Sequence, residues 1–113
     1  MDENRRESPR VSVSLYVERT EEPAITPIHI RNLSATGYLV RGAVLAGQGG
    51  IFHATFRVRP ASGEVRVTTR GRVVHSRIDG HNTEIGIKIE SFGSEAEKIA
   101  YLEYVSELAR KEL

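Results

Sequence analysis

Apolar and polar residues alternate with a period of two along most of this chain, and only its end changes to helical spacing. Val11, Val13, Leu15 and Val17 alternate with Ser12, Ser14, Tyr16 and Glu18, the signature of a strand with one buried face. After a turn at Glu21-Glu22-Pro23, a second strand is expected from Ala24 to Asn32, with Ile28 and Ile30 inward. Pro27 places an edge or bulge near its start. Ser34 to Gly37 reads as a turn, and Tyr38-Leu39-Val40 as a short third strand. A glycine-rich loop from Gly42 to Gly50 precedes a fourth strand, where Phe52, Ala54, Phe56 and Val58 share one parity. Pro60 to Gly63 turns the chain into a long fifth segment, Glu64 to Ile78. Gly71 within it marks a bend or bulge of the kind that curves a sheet. Asp79-Gly80 is the next turn, and Ile85, Ile87 and Ile89 form the inner side of a sixth strand.

At Ser94 the period changes. Ser94-Glu95-Ala96-Glu97 has the form of a capping box, serine at the N-cap and glutamate three positions on. Ile99, Leu102, Val105, Leu108 and Ala109 follow at helical spacing. Glu95 and Glu97 at the start and Arg110 and Lys111 at the end suit the helix dipole. A helix over 94–113 therefore closes the domain. Six strands and one helix imply a mainly β fold, an antiparallel sheet or small barrel with its open side covered by the helix. Periodicity alone does not separate those two.

With 113 residues there is room for one modest core. Residues 1–10 contain Asp2, Glu3, Arg5, Arg6, Glu7 and Arg10 with only Met1 as an apolar anchor, and read as a flexible leader to a domain spanning 11–113. The net charge of +1 supplies no global field for a nucleic acid polymer or a membrane, so any anion site must be local. There are no cysteines, which removes disulfides, thiolate metal sites and a thiol nucleophile. The charged N-terminus and the lack of an apolar run near ~18 residues predict a cytoplasmic protein with no membrane segment.

Two tracts stand out against this scaffold. Arg5-Arg6-Glu7-Ser8-Pro9-Arg10 contains an RxxxR spacing at Arg6 and Arg10, and Asn32-Leu33-Ser34-Ala35-Thr36-Gly37 reads NxSxxG. A guanidinium offers forked donors to phosphate or to the O6/N7 edge of guanine, and its face stacks on a base. Asn32 can present a donor and an acceptor to a base edge, and Ser34 a hydroxyl to phosphate. Gly37 allows positive φ or a close backbone approach. Taken singly, the first tract is a solvated charged tail and the second an ordinary turn.

In this order, and flanked by strand-like sequence, the two tracts resemble the nucleotide-binding signature of the PilZ domain family. The likeness runs from Arg5 into the final helix and includes Gly86-Ile87-Lys88-Ile89, similar to the family's glycine-containing strand. It implies a six-stranded antiparallel β-barrel with a C-terminal helix, and a non-catalytic receptor for the bacterial second messenger cyclic di-GMP. By this resemblance Arg5, Arg6, Arg10, Asn32, Ser34 and Gly37 are the ligand-binding residues. Arg6 and Arg10 engage guanine and phosphate, Asn32 reads a guanine edge, Ser34 meets phosphate, and Gly37 holds the turn. Asn32 stands where many members carry aspartate, and Ile89 where an aromatic is common. The resemblance favours two stacked ligand molecules over one. The mechanism expected on this reading is that ligand draws Arg6 and Arg10 over the turn, an ordering step that a downstream partner protein can read. The pattern leaves a homodimer through the final helix open.

Other signals carry less. His29, His53, His75 and His81 are scattered without clustered carboxylates, so no metal or other cofactor is expected. Gly42 and Gly47 mimic a phosphate loop, but Gln48 stands where lysine is needed. Arg66, Arg70 and Arg72 share a parity, and six arginines face one acid, Glu64, between Arg57 and Arg77; that stripe is either a solvated face or a partner-facing patch. Two rival functions are a PilZ-like interaction scaffold without ligand and a small barrel binding single-stranded nucleic acid. The latter needs exposed aromatics, for which Tyr16 and Tyr38 are the candidates.

Overall fold

The computed structural model describes residues 10–20, 28–42 and 49–111. The expected leader, apart from Arg10, the turn at Glu21-Glu22-Pro23, the expected strand start at Ala24 and most of the glycine-rich loop lie outside the described residues. The described chain forms β1 (Val11–Tyr16), β2 (Arg19–Thr20), β3 (His29–Ser34), β4 (Gly37–Gly42), β5 (Ile51–Val58), β6 (Val65–Asp79), β7 (Asn82–Phe92) and α1 (Glu95–Lys111). All strand pairs are antiparallel, in the order β1-β3-β4-β7-β6-β5-β2.

The two ends of that order are neighbours in sequence. The Val17 N–H donates to the Ile28 carbonyl at 2.9 Å, and the next amide, Glu18, donates to the Thr55 carbonyl of β5 at 2.7 Å. Within two residues the chain changes partner from one edge of the sheet to the other. β1 and β2 are thus one bent strand that joins both edges, which accounts for six expected strands and curls the sheet into a barrel. Gly71 lies at a register shift between β6 and β7. Any side chain there would press on the Ile87 side chain and the Lys88 carbonyl, so glycine allows the two strands to close up at the bend.

The inward parity expected from sequence fills the barrel, and Leu33 of β3 and Val40 of β4 join it. Val11, Ile30, Leu33, Val40, Phe52, Phe56, Val58, Val67, Val73 and Ile85 are almost wholly buried, each such side chain contributing about 1.5–3 kcal/mol. Ala100, Tyr101 and Val105 of α1 complete the core, and the helix rests on β1, β5, β6 and β7.

Two expectations are corrected. Tyr38 is 4% exposed, not a surface aromatic. It shares the inward parity of Val40, meets Phe56 edge-on at 5.5 Å, and places its hydroxyl 2.6 Å from that of buried Thr69. Burial of the phenol becomes tolerable because Thr69 satisfies it. Ile99 is 57% exposed, because it lies about 200° around the helix from Tyr101, and Tyr101 fixes the buried face. Tyr16 is exposed as expected and stacks on His29 at 4.7 Å.

Half of the capping box forms as expected. Ser94 Oγ accepts from the Glu97 N–H at 3.2 Å. The Glu97 carboxylate, however, reaches across to β6 and accepts the Thr68 N–H at 2.7 Å, tying the helix start to the barrel. Glu97→Ala is expected to cost about 1–2 kcal/mol by urea denaturation, with Glu97→Gln close to wild type because it keeps an acceptor.

Each arginine of the stripe is paired with a glutamate, six arginines sharing four carboxylates. Arg57 pairs with Glu18 and Glu64, Arg59 with Glu64, Arg66 with Glu18 and Arg77 with Glu84. Arg70 and Arg72 share Glu90. Hydrogen bonds from Arg59 and Arg57 hold the Glu64 carboxyl below its ordinary range, and one from Arg72 does the same for Glu90. Exposed pairs of this kind contribute little to stability one by one; they leave no arginine of the stripe unpaired, while the face keeps a net positive balance.

Candidate functional site

The tract Asn32 to Gly37 becomes the β3–β4 hairpin. Ser34 and Gly37 pair across a two-residue link, Ala35-Thr36. Neither link residue has positive φ, whereas tight hairpins favour turns whose central residues do, since that geometry suits strand twist. Bonds from side chain and neighbouring strand hold this turn instead. The Ser34 hydroxyl accepts the Thr36 N–H and donates to the Gly37 carbonyl, both at 3.3 Å. The Thr36 carbonyl accepts the Ile89 N–H of β7 at 2.8 Å. From the helix, the buried Tyr101 hydroxyl donates to the Ser34 carbonyl at 2.7 Å, with the Gly37 carbonyl at 3.1 Å.

Gly37 is needed for proximity and not for φ. A Cβ there would collide with the Ile87 carbonyl oxygen and crowd the Lys88 Cα at 3.3 Å. Its lack of a side chain brings β4 against β7 and sets the turn beside the β7 surface.

Register then builds a lateral row on the outer barrel face. Ser12 of β1 pairs with Asn32 of β3, Asn32 with Leu39 of β4, Leu39 with Gly86 of β7, and Gly86 with His75 of β6. Leu39 and Gly86 make a low floor between the polar side chains at the two ends. The next outward position on β7, Lys88, pairs with Gly37. Above this floor lies a cavity of about 240 Å³ lined by Arg10, Asn32, Ser34, Thr36, Gly37, Leu39, Val74, His75, Gly86 and Lys88, with parts of Tyr38 and Ile87. Among the described residues its lining includes Arg10, Lys88 and His75 and no carboxylate, so the described walls offer cationic and neutral donors to an anion.

Four of the six residues singled out in sequence, Arg10, Asn32, Ser34 and Gly37, line this one cavity. Arg5 and Arg6 lie outside the described residues. Sequence reasoning missed Tyr101, His75, Gly86 in its role as floor, and Lys88 as a lining cation. Lys88 stood in the tract Gly86-Ile87-Lys88-Ile89, whose period-two pattern turns it outward; the others depend on cross-strand register. Among the described residues no group of three or more His, Cys, Asp or Glu is placed to hold a metal ion. No described helix is long and apolar enough to cross a membrane.

Comparison with known proteins gives two findings. The family model of the PilZ domain matches residues 4–107. Among solved structures, the Bacillus subtilis inhibitor of motility (MotI/DgrA) superposes with a TM-score of 0.76 at 16% sequence identity. The match covers 95% of this chain and 52% of that one, so this chain spans about half the length of that protein and shares its fold. No curated protein matches the sequence.

Proposed function

Because the chain belongs to the PilZ domain family, whose members bind cyclic di-GMP without a metal cofactor, we propose that it is a non-catalytic receptor for that dinucleotide. The observation that carries this reading is the meeting of Arg10, Asn32, Ser34 and Gly37 at one cavity with no carboxylate among its described lining residues. Arg10 supplies forked donors to phosphate or guanine. Asn32 presents its amide to a guanine edge, and the Ser34 hydroxyl, by leaving its turn bonds, donates to phosphate. Arg5 and Arg6 join Arg10 from the preceding residues. In this reading residues 5–10 close over the ligand, and the surface met by a partner protein differs between free and bound states. The reading places the protein in the cytoplasm. An output through motility is the partner system that the name of the structural neighbour suggests.

Arg10→Ala and Asn32→Ala test the assignment. Each is expected to weaken binding of cyclic di-GMP by about tenfold or more with the thermal midpoint unchanged, since Arg10 is exposed and Asn32 half-buried. A second reading, a PilZ-like scaffold without ligand, draws on the Ser34 hydroxyl, which is already engaged within its own turn. A scaffold keeps partner binding in Arg10→Ala; a receptor loses its response to ligand.

A further inference from the structure

We propose that His75 and Lys88 are ligand-contacting residues that engage the phosphates from the side of the cavity opposite Arg10 and Asn32, a contact pair contained in neither sequence tract. This rests on the cyclic di-GMP reading of the preceding subsection.

Three observations carry it. First, the lateral row places Asn32 and His75 at the two ends of the floor made by Leu39 and Gly86. Gly86 has no side chain, and the His75 ring occupies the space one would need, its Nε2 and Cδ2 both 2.7 Å from where a Cβ would stand. The imidazole is thereby drawn over the cavity floor. Second, Lys88 lines the same cavity and pairs in register with Gly37, beside the turn carrying Ser34. Third, the arginines that could supply charge from the same strands are already committed. Arg70 and Arg72 share Glu90, and Arg77 holds Glu84. Among the described residues neither Lys88 nor His75 makes a side-chain hydrogen bond or a close salt bridge, and both are exposed, although the Lys88 charge stands near enough to Glu90 to help hold that carboxyl below its ordinary range. A ligand with two phosphodiester anions needs compensating donors wherever it leaves water. On this side of the cavity these two side chains supply them.

Calorimetric titration with cyclic di-GMP on wild type, His75→Ala and Lys88→Gln tests the proposal. His75→Ala should weaken binding about fivefold, and Lys88→Gln about tenfold with a smaller salt dependence. On the wild-type chain, ligand should shift the His75 imidazole proton resonances. Variants binding within about twofold of wild type, or unmoved His75 resonances on saturation, would overturn the proposal while leaving the receptor reading intact. No binding by wild type overturns both.

Discussion

Gly37→Ala is expected to destabilise the domain by about 3 kcal/mol or more and to abolish binding of cyclic di-GMP in whatever fraction remains folded. The added Cβ would stand against the Ile87 carbonyl oxygen and the Lys88 Cα, both backbone atoms of the neighbouring strand. A flexible side chain could swing aside; a strand backbone has to move. Moving β7 disrupts the Gly37–Lys88 and Tyr38–Ile87 pairings and the bond from the Ile89 amide to the Thr36 carbonyl. Stability and site fall together, because the interval that alanine would fill is the one that sets the turn against the cavity wall. Urea denaturation of this variant measures the first effect, and titration at low denaturant the second. A stable variant would show that Gly37 is not required for close approach.

The second large effect is expected from Tyr101→Phe, which never touches the cavity. It should cost about 1–3 kcal/mol and weaken ligand binding about three- to tenfold. Phenylalanine keeps the ring contacts with Phe92 and Phe56 at 5.3 and 6.3 Å, so packing changes little. What is lost is the hydroxyl that holds the carbonyls on both sides of the Ala35-Thr36 turn, leaving the Ser34 carbonyl without its side-chain donor. Alkaline titration gives an independent reading. Burial raises both the Tyr101 and the Tyr38 phenols well above their ordinary value of 10.0. The folded state therefore favours the neutral phenols. Their contribution is fully present below the unfolded value and is lost as pH rises above it. Unfolding should set in above about pH 10, and Tyr101→Phe should show a shallower pH dependence there than wild type.

The strands were legible because each buries one face, so the alternation at Val11–Val17 and Phe52–Val58 survives as burial in the structure. The hairpin carrying Asn32, Ser34 and Gly37 was legible for a related reason: its turn is local, and its residue types state its chemistry. Reading failed where position depended on distant strands. Tyr38 looked like a surface ring until Thr69, far along the chain, offered its hydroxyl. Ile99 looked apolar and inward until Tyr101 fixed which helix face is buried. Barrel closure depends on the switch of hydrogen-bond partner between Val17 and Glu18, which no periodicity encodes. The row from Asn32 to His75 depends on register shifts at Ile30/Asn32 and Val73/His75. Each shift moves side chains by one position, so the opposing wall of the cavity emerges only in three dimensions.

The central claim is that the cavity beside the Asn32–Gly37 hairpin takes cyclic di-GMP. Calorimetric titration of the folded chain, with cyclic di-AMP as the control ligand, tests it most directly. The account predicts saturable heat with cyclic di-GMP at about tens of micromolar or below, at one or two ligands per chain, and far weaker binding of the adenine analogue. A folded sample giving no saturable heat with cyclic di-GMP, or equal heat with both dinucleotides, would contradict it.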